Sequence, residues 1–224
     1  MMSAESSASR WSLTVALGAV WGVSEVALGI GLQACARNAS GSIMTGVALF
    51  FIAAGWALTK KVRGPLIMIC MASLLKLADA LLLGLPIKHG AVANPIFAFW
   101  TEGLAFLVLV ALLRGELASG RIRQALSGGL SALVAVNLFP LVKYATTIPA
   151  CVYPGTTTPL ALYFAPLAVA VSFVTVPLGF AAAAWFLSFM DKKLTTDQER
   201  RLGFIYSPAT VLLSLLLILL IRAI

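Results

Sequence analysis

Seven mainly apolar stretches run along the chain, at 11–32, 42–58, 65–85, 95–113, 124–139, 159–189 and 207–221, separated by shorter polar breaks. About 20 apolar residues in a helix span the hydrocarbon of a bilayer. Each stretch is therefore read as a transmembrane helix. The second, fifth and seventh are short. The sixth is long and holds Pro166 and Pro177, which predicts a tilt or a kink. The pattern predicts an all-α polytopic membrane protein, a bundle of about seven helices (six plus one). No polar stretch is long enough to fold alone, so residues 1–224 form one transmembrane domain.

Composition agrees with that pattern. Hydrophobic residues make up 61% and charged residues 11%, with a mean hydropathy of +1.00. A soluble domain carries roughly a quarter charged residues. Soluble enzymes, disordered tails and disulfide-stapled secreted domains are excluded. The first ten residues are short and polar. The apolar run after them is too long for a signal-peptide core, so it is read as the first span.

The net charge of +8 gains meaning from its distribution. With the N-terminus on one side, that side collects Arg10, Lys60, Lys61, Arg63, Arg114, Arg121, Arg123, Lys192, Lys193, Arg200 and Arg201. The other side holds Arg37, Lys88, Lys143 and Arg222, and Lys76 falls within a span. Basic residues accumulate on the cytoplasmic face of membrane proteins. The N-terminus is thus expected to be cytoplasmic, in a multi-pass protein of the cell membrane. No basic run interleaved with aromatics occurs, so nucleic acid is not expected as a partner; the lipid bilayer is.

Four ionisable residues fall within the spans: Glu25, Lys76, Asp79 and Glu102. Each costs roughly 2.5–3.5 kcal/mol at the bilayer centre on insertion scales. Counted from the expected helix ends, the three carboxyls share one level, about 9–11 Å below the outer boundary. Lys76 and Asp79 are three residues apart on one helix face and can neutralise each other. Glu25 and Glu102 then carry a proton, share one, or face a cation or polar ligand. Such charges either tie helices together or line a binding cavity.

The outer loops add candidates. His89, the chain's one histidine, lies in the 86–94 loop and is either solvated or a ligand contact. Asn94 and Pro95 are expected to open the fourth helix. Trp100 is either an interfacial anchor or a wall of the cavity. Residues 140–158, with Pro140, Pro149, Pro154 and Gly155, form either a plain loop or a lid carrying Tyr144 and Tyr153. Cys35 and Cys151 fall on the same outer side and could pair, while Cys70 is expected in the core. Gly18 and Gly22 make a GxxxG in a first helix rich in small residues. They allow close approach, either of a helix of this chain or of a separate membrane subunit.

No HExxH, GxSxG, P-loop or DDxxD motif is present, and no CxxC pair suggests zinc. No cofactor and no metal site is expected. The small-residue helix one, Asn94–Pro95 with Glu102–Gly103, and the loop near Tyr153 resemble the substrate-binding S component of an energy-coupling factor (ECF) transporter. The resemblance covers roughly residues 11–189. It implies a solute site near the outer face, closed by outer loops, with helix one docked on a transmembrane coupling subunit that works with ATPase subunits. The seventh helix departs from most S components. The MMSAESS start lacks the Met-His of the nickel and cobalt members.

The expected function is capture of a small molecule, cationic, hydrogen-bond-rich or vitamin-like, in an outer-facing polar cavity. The expected site residues are Glu25, Lys76, Asp79, His89, Asn94, Trp100, Glu102 and Tyr153. Two alternatives stay open. One is an accessory or assembly subunit of a membrane complex. The other is a membrane enzyme acting on a lipid or isoprenoid, with Glu25 or Glu102 as acid or base.

Overall fold

The computed structural model describes residues 4–36, 39–113, 120–146, 152, 157–193 and 196–223, with side chains at all of these except 4–9, 33, 145, 191–193, 196–204 and 206. Seven long helices run through them: α1 (Ala4–Cys35), α2 (Ser40–Thr59), α3 (Arg63–Leu82), α4 (Gly90–Leu112), α5 (Arg121–Leu138), α7 (Leu160–Lys193) and α8 (Thr196–Ala223). A tight 3-10 turn, Phe139–Val142, extends α5 into the one-turn helix α6 (Lys143–Thr146). Among the described residues no sheet forms; a single bridge joins Val152 to Pro159. Six helices are long and apolar enough to cross a membrane, and the apolar part of α8, Ser207–Ala223, is shorter. The protein is an all-α multi-pass membrane protein. Its outer surface carries large apolar side chains, such as Leu74, Leu104, Leu130, Val174 and Leu212, as a lipid-facing surface requires.

α2 is the central post. Nearly every residue from Ala48 to Thr59 is buried, and its side chains join Trp21, Met68, Phe99, Phe106 and Val176 in the main core. Its broadest contact is with α7. Lipid supplies little hydrophobic drive between helices, so close packing and polar links must hold them. Both occur here. Gly46 lies against Val171, and Gly179 against the Phe50 carbonyl. Thr175 donates to the Gly46 carbonyl at 2.7 Å, and Ser42 donates to the Phe164 carbonyl at 2.9 Å.

α1 packs between α3 and α8. Gly18 faces Met68 and Met71, and Gly22 faces Leu75, where an added Cβ would come within 2.6 Å. Both glycines are buried by α3 of the same chain. A coupling subunit would therefore not meet them directly; the GxxxG serves internal packing. A second cluster of Ala19, Val26, Leu75 and Ile218 seals α8 against α1. Gly22→Val is expected to destabilise the bundle by about 1–3 kcal/mol through overpacking. Thermal unfolding in detergent checks this, with Gly29→Ala, where the space is open, as the control.

Two further expectations need correction. Cys70 lies on the exposed face of α3, not in the core. α4 begins at Gly90, not at Pro95. The His89 ring nitrogen Nδ1 accepts from the Ala91 amide at 3.2 Å and caps the helix, which leaves Pro95 inside its second turn. The pairing of Cys35 with Cys151 and the closing role of residues 147–151 and 153–156 lie outside the described residues.

Candidate ligand-binding site

A cavity of about 490 Å³ opens at one end of the bundle. The C-terminal ends of α1, α3 and α8 and the N-terminal ends of α2, α4 and α7 surround it, and the end of α5 completes the wall. The described basic residues Arg10, Lys60, Lys61, Arg63, Arg121 and Arg123 lie toward the opposite end. The volume falls in the range of metabolite-sized ligands.

Helical period selects the lining. On α4, Ala91, Asn94, Pro95, Ala98, Phe99, Thr101 and Glu102 share one face. On α1 the face is Glu25, Val26, Gly29 and Ile30. α2 brings Ser40, Gly41, Met44 and Thr45; α3 brings Lys76, with Leu83 just past its end; α8 brings Arg222. Phe139 and Phe164 add aromatic wall. Beneath lies Trp21, whose ring sits 4.8 Å from Phe99 and 6.0 Å from Phe51, centroid to centroid.

Counted from the helix ends of the structure, the acids do not share one depth. Asp79 lies three residues before the end of α3, near the mouth, whereas Glu25 lies ten before the end of α1 and Glu102 twelve past the start of α4. The shift follows from all three helix ends: α1 runs on to Cys35, α3 stops at Leu82 and α4 starts at Gly90. Asp79 does not line the cavity but backs it. It accepts from Arg222 Nε at 2.7 Å and Nη2 at 2.9 Å, and from Lys76 Nζ at 3.3 Å. The two-pronged contact matches the guanidinium fork to the carboxylate. The Asp79 side chain is 2% exposed, and Arg222 is 23% exposed. With Arg222 holding Asp79, the Lys76 charge is shared with Glu25, on which it acts electrostatically.

Glu25 and Glu102 form the floor, 5% and 3% exposed. Thr45 stands beside Glu102, and the two glutamates lie close enough to act on each other. One oxygen of each, Oε2, is buried with no hydrogen-bond partner, as is the Trp21 indole nitrogen. Buried polar groups are nearly always paired in folded proteins. Two orphaned carboxyl oxygens at the bottom of one cavity mark a place where a ligand donor fits. Among the described residues no group of three metal-binding side chains occurs.

Of the expected site residues, Glu25, Lys76, Asn94 and Glu102 meet in the cavity, and Asp79 braces its basic wall. His89 and Trp100 do not line it. His89 is engaged as a cap, and Trp100, 37% exposed, points to the outside of α4. Tyr153 lies outside the described residues. Tyr144 is 78% exposed, with Lys143 Nζ 5.1 Å from its ring. Sequence reasoning missed Arg222, Thr45 and the three phenylalanines. Arg222 carried a signal: it is one of few basic residues on the side poor in them. Compared with known protein families, curated proteins and solved structures, the chain matches none.

Proposed function

We propose that the protein captures a small polar solute in this cavity, which opens on the outer side of the cell membrane, as a step in uptake. The observation that supports the reading is the pair of buried, unpartnered Glu25 and Glu102 oxygens at the floor of a metabolite-sized cavity. Intramembrane ionisable groups facing a cavity mark solute or ion pathways. The basic residues toward the opposite end favour a cytoplasmic N-terminus. The sequence holds no nucleotide-binding motif, so transport energy comes from partner ATPase and coupling subunits, as the resemblance to S components implies, or from an ion gradient.

Orientation is tested with single cysteines in a variant whose three native cysteines are replaced by serine. Gly90→Cys, at the cavity mouth with room for a side chain, reacts in intact cells with a membrane-impermeant maleimide. Lys61→Cys, between α2 and α3, reacts only after permeabilisation. The reverse pattern contradicts an outward-facing site.

A further inference from the structure

We propose, resting on that reading, that the solute is an organic monocation: an ammonium or amidinium head on an apolar body, with a neutral hydrogen-bond acceptor at the other end. The charge count carries it. Among the described residues, the helices around the cavity bring to it or directly behind it three carboxyls, Glu25, Asp79 and Glu102, and two bases, Lys76 and Arg222. Among the described residues, α2, α5 and α7 bring no charged side chain to the lining. The α8 guanidinium reduces an excess of two negative charges to one. With both glutamates ionised, a ligand of charge +1 therefore completes neutrality in place of a proton shared between them, and a low-dielectric site favours neutrality.

The geometry fits the same molecule. The orphaned Oε2 atoms of Glu25 and Glu102 accept hydrogen bonds and donate none when ionised, so they suit the several N–H donors of an ammonium or amidinium head. Phe99, Phe139 and Phe164 line the same cavity and add aromatic and apolar surface for the body of such a molecule. Lys76 and Arg222, nearer the mouth, have donor hydrogens beyond those given to Asp79. They reward an acceptor such as a carbonyl or hydroxyl and repel a second positive charge. An inorganic ion would leave most of 490 Å³ unfilled.

The test uses the purified full chain in detergent with a matched set of probes: tyramine, tyrosine and 3-(4-hydroxyphenyl)propionate. They share a body and differ in the charged groups. Titration calorimetry gives affinities, and small molecules released by denaturing the protein are identified by mass spectrometry. The proposal expects tyramine to bind at least tenfold tighter than tyrosine, the acid not to bind, and Glu102→Gln to abolish the preference while Trp100→Ala keeps it. Where no probe binds, a released organic monocation supports it equally. Tyrosine binding as tightly as tyramine, or release of an anion or neutral metabolite as the only solute, overturns the monocation and leaves the solute-binding reading standing. If no probe binds at 10 millimolar (about the weakest affinity worth assigning,) and nothing is released, both fail.

Discussion

Replacing Asp79 with leucine is expected to destabilise the protein by about 3–5 kcal/mol, the usual cost of leaving buried charge without its partner. The Asp79 carboxylate, 2% exposed, holds Arg222 through two hydrogen bonds and Lys76 through a third. Its loss leaves two cations facing each other beside the cavity. Lys76, 11% exposed, reaches water only through the cavity, whereas Arg222, 23% exposed, can swing toward the mouth. The effect therefore falls toward the lower end of that range. Arg222→Met alone is milder, because Lys76 still serves Asp79. The triple variant Lys76→Met, Asp79→Leu, Arg222→Met recovers most of the loss, since apolar groups of similar volume replace a buried ion cluster at little cost. Unfolding equilibria in mixed micelles measure all three. If Asp79→Leu unfolds with the wild-type midpoint, the cluster does not hold α8 to α3.

The second large effect separates binding from stability. Glu102→Gln is expected to weaken retention of the solute by about 30-fold or more, because truncating one side of a buried charged contact costs about 2–5 kcal/mol. The same change leaves the empty protein as stable as before, or more so. Glu102 is 3% exposed, one oxygen lacks a partner, and Glu25 repels it. Glutamine keeps the shape while removing the repulsion. A carboxyl serving only helix packing would show the opposite pattern, with lower stability and unchanged solute retention. Solute bound per chain after purification, set beside the thermal midpoint of the empty protein, reads both quantities. Such opposed signs are the usual mark of a group kept for function at the expense of stability.

Much of the architecture was legible because bilayer thickness forces long apolar runs, and these appear almost unbroken in the sequence. The helix ends were less legible. Pro95 reads as a first helical residue, yet an unusual histidine cap starts α4 at Gly90. That difference, with the later end of α1 and the earlier end of α3, removed the single level expected for the carboxyls. The site was half legible. Unpaired acids in an apolar run stand out whatever the fold. Helical period also separates Asn94, Ala98 and Glu102 on one face of α4 from Trp100 on another. Arg222 was hidden because a basic residue at the end of an apolar run ordinarily snorkels to the interface. Only the packing of α8 beside α3 turns it toward Asp79. Phe99, Phe139 and Phe164 come from three separate segments and resemble any other core aromatics in sequence.

The central claim is that a small solute sits on Glu25 and Glu102. Native mass spectrometry of the protein, extracted gently from its own membranes, tests it most directly when run beside Glu102→Gln. The account predicts one extra metabolite-sized mass per chain in the wild type, absent from the variant, while both remain folded. Lipid adducts alone in both proteins, or the same small mass retained equally by the variant, would contradict it.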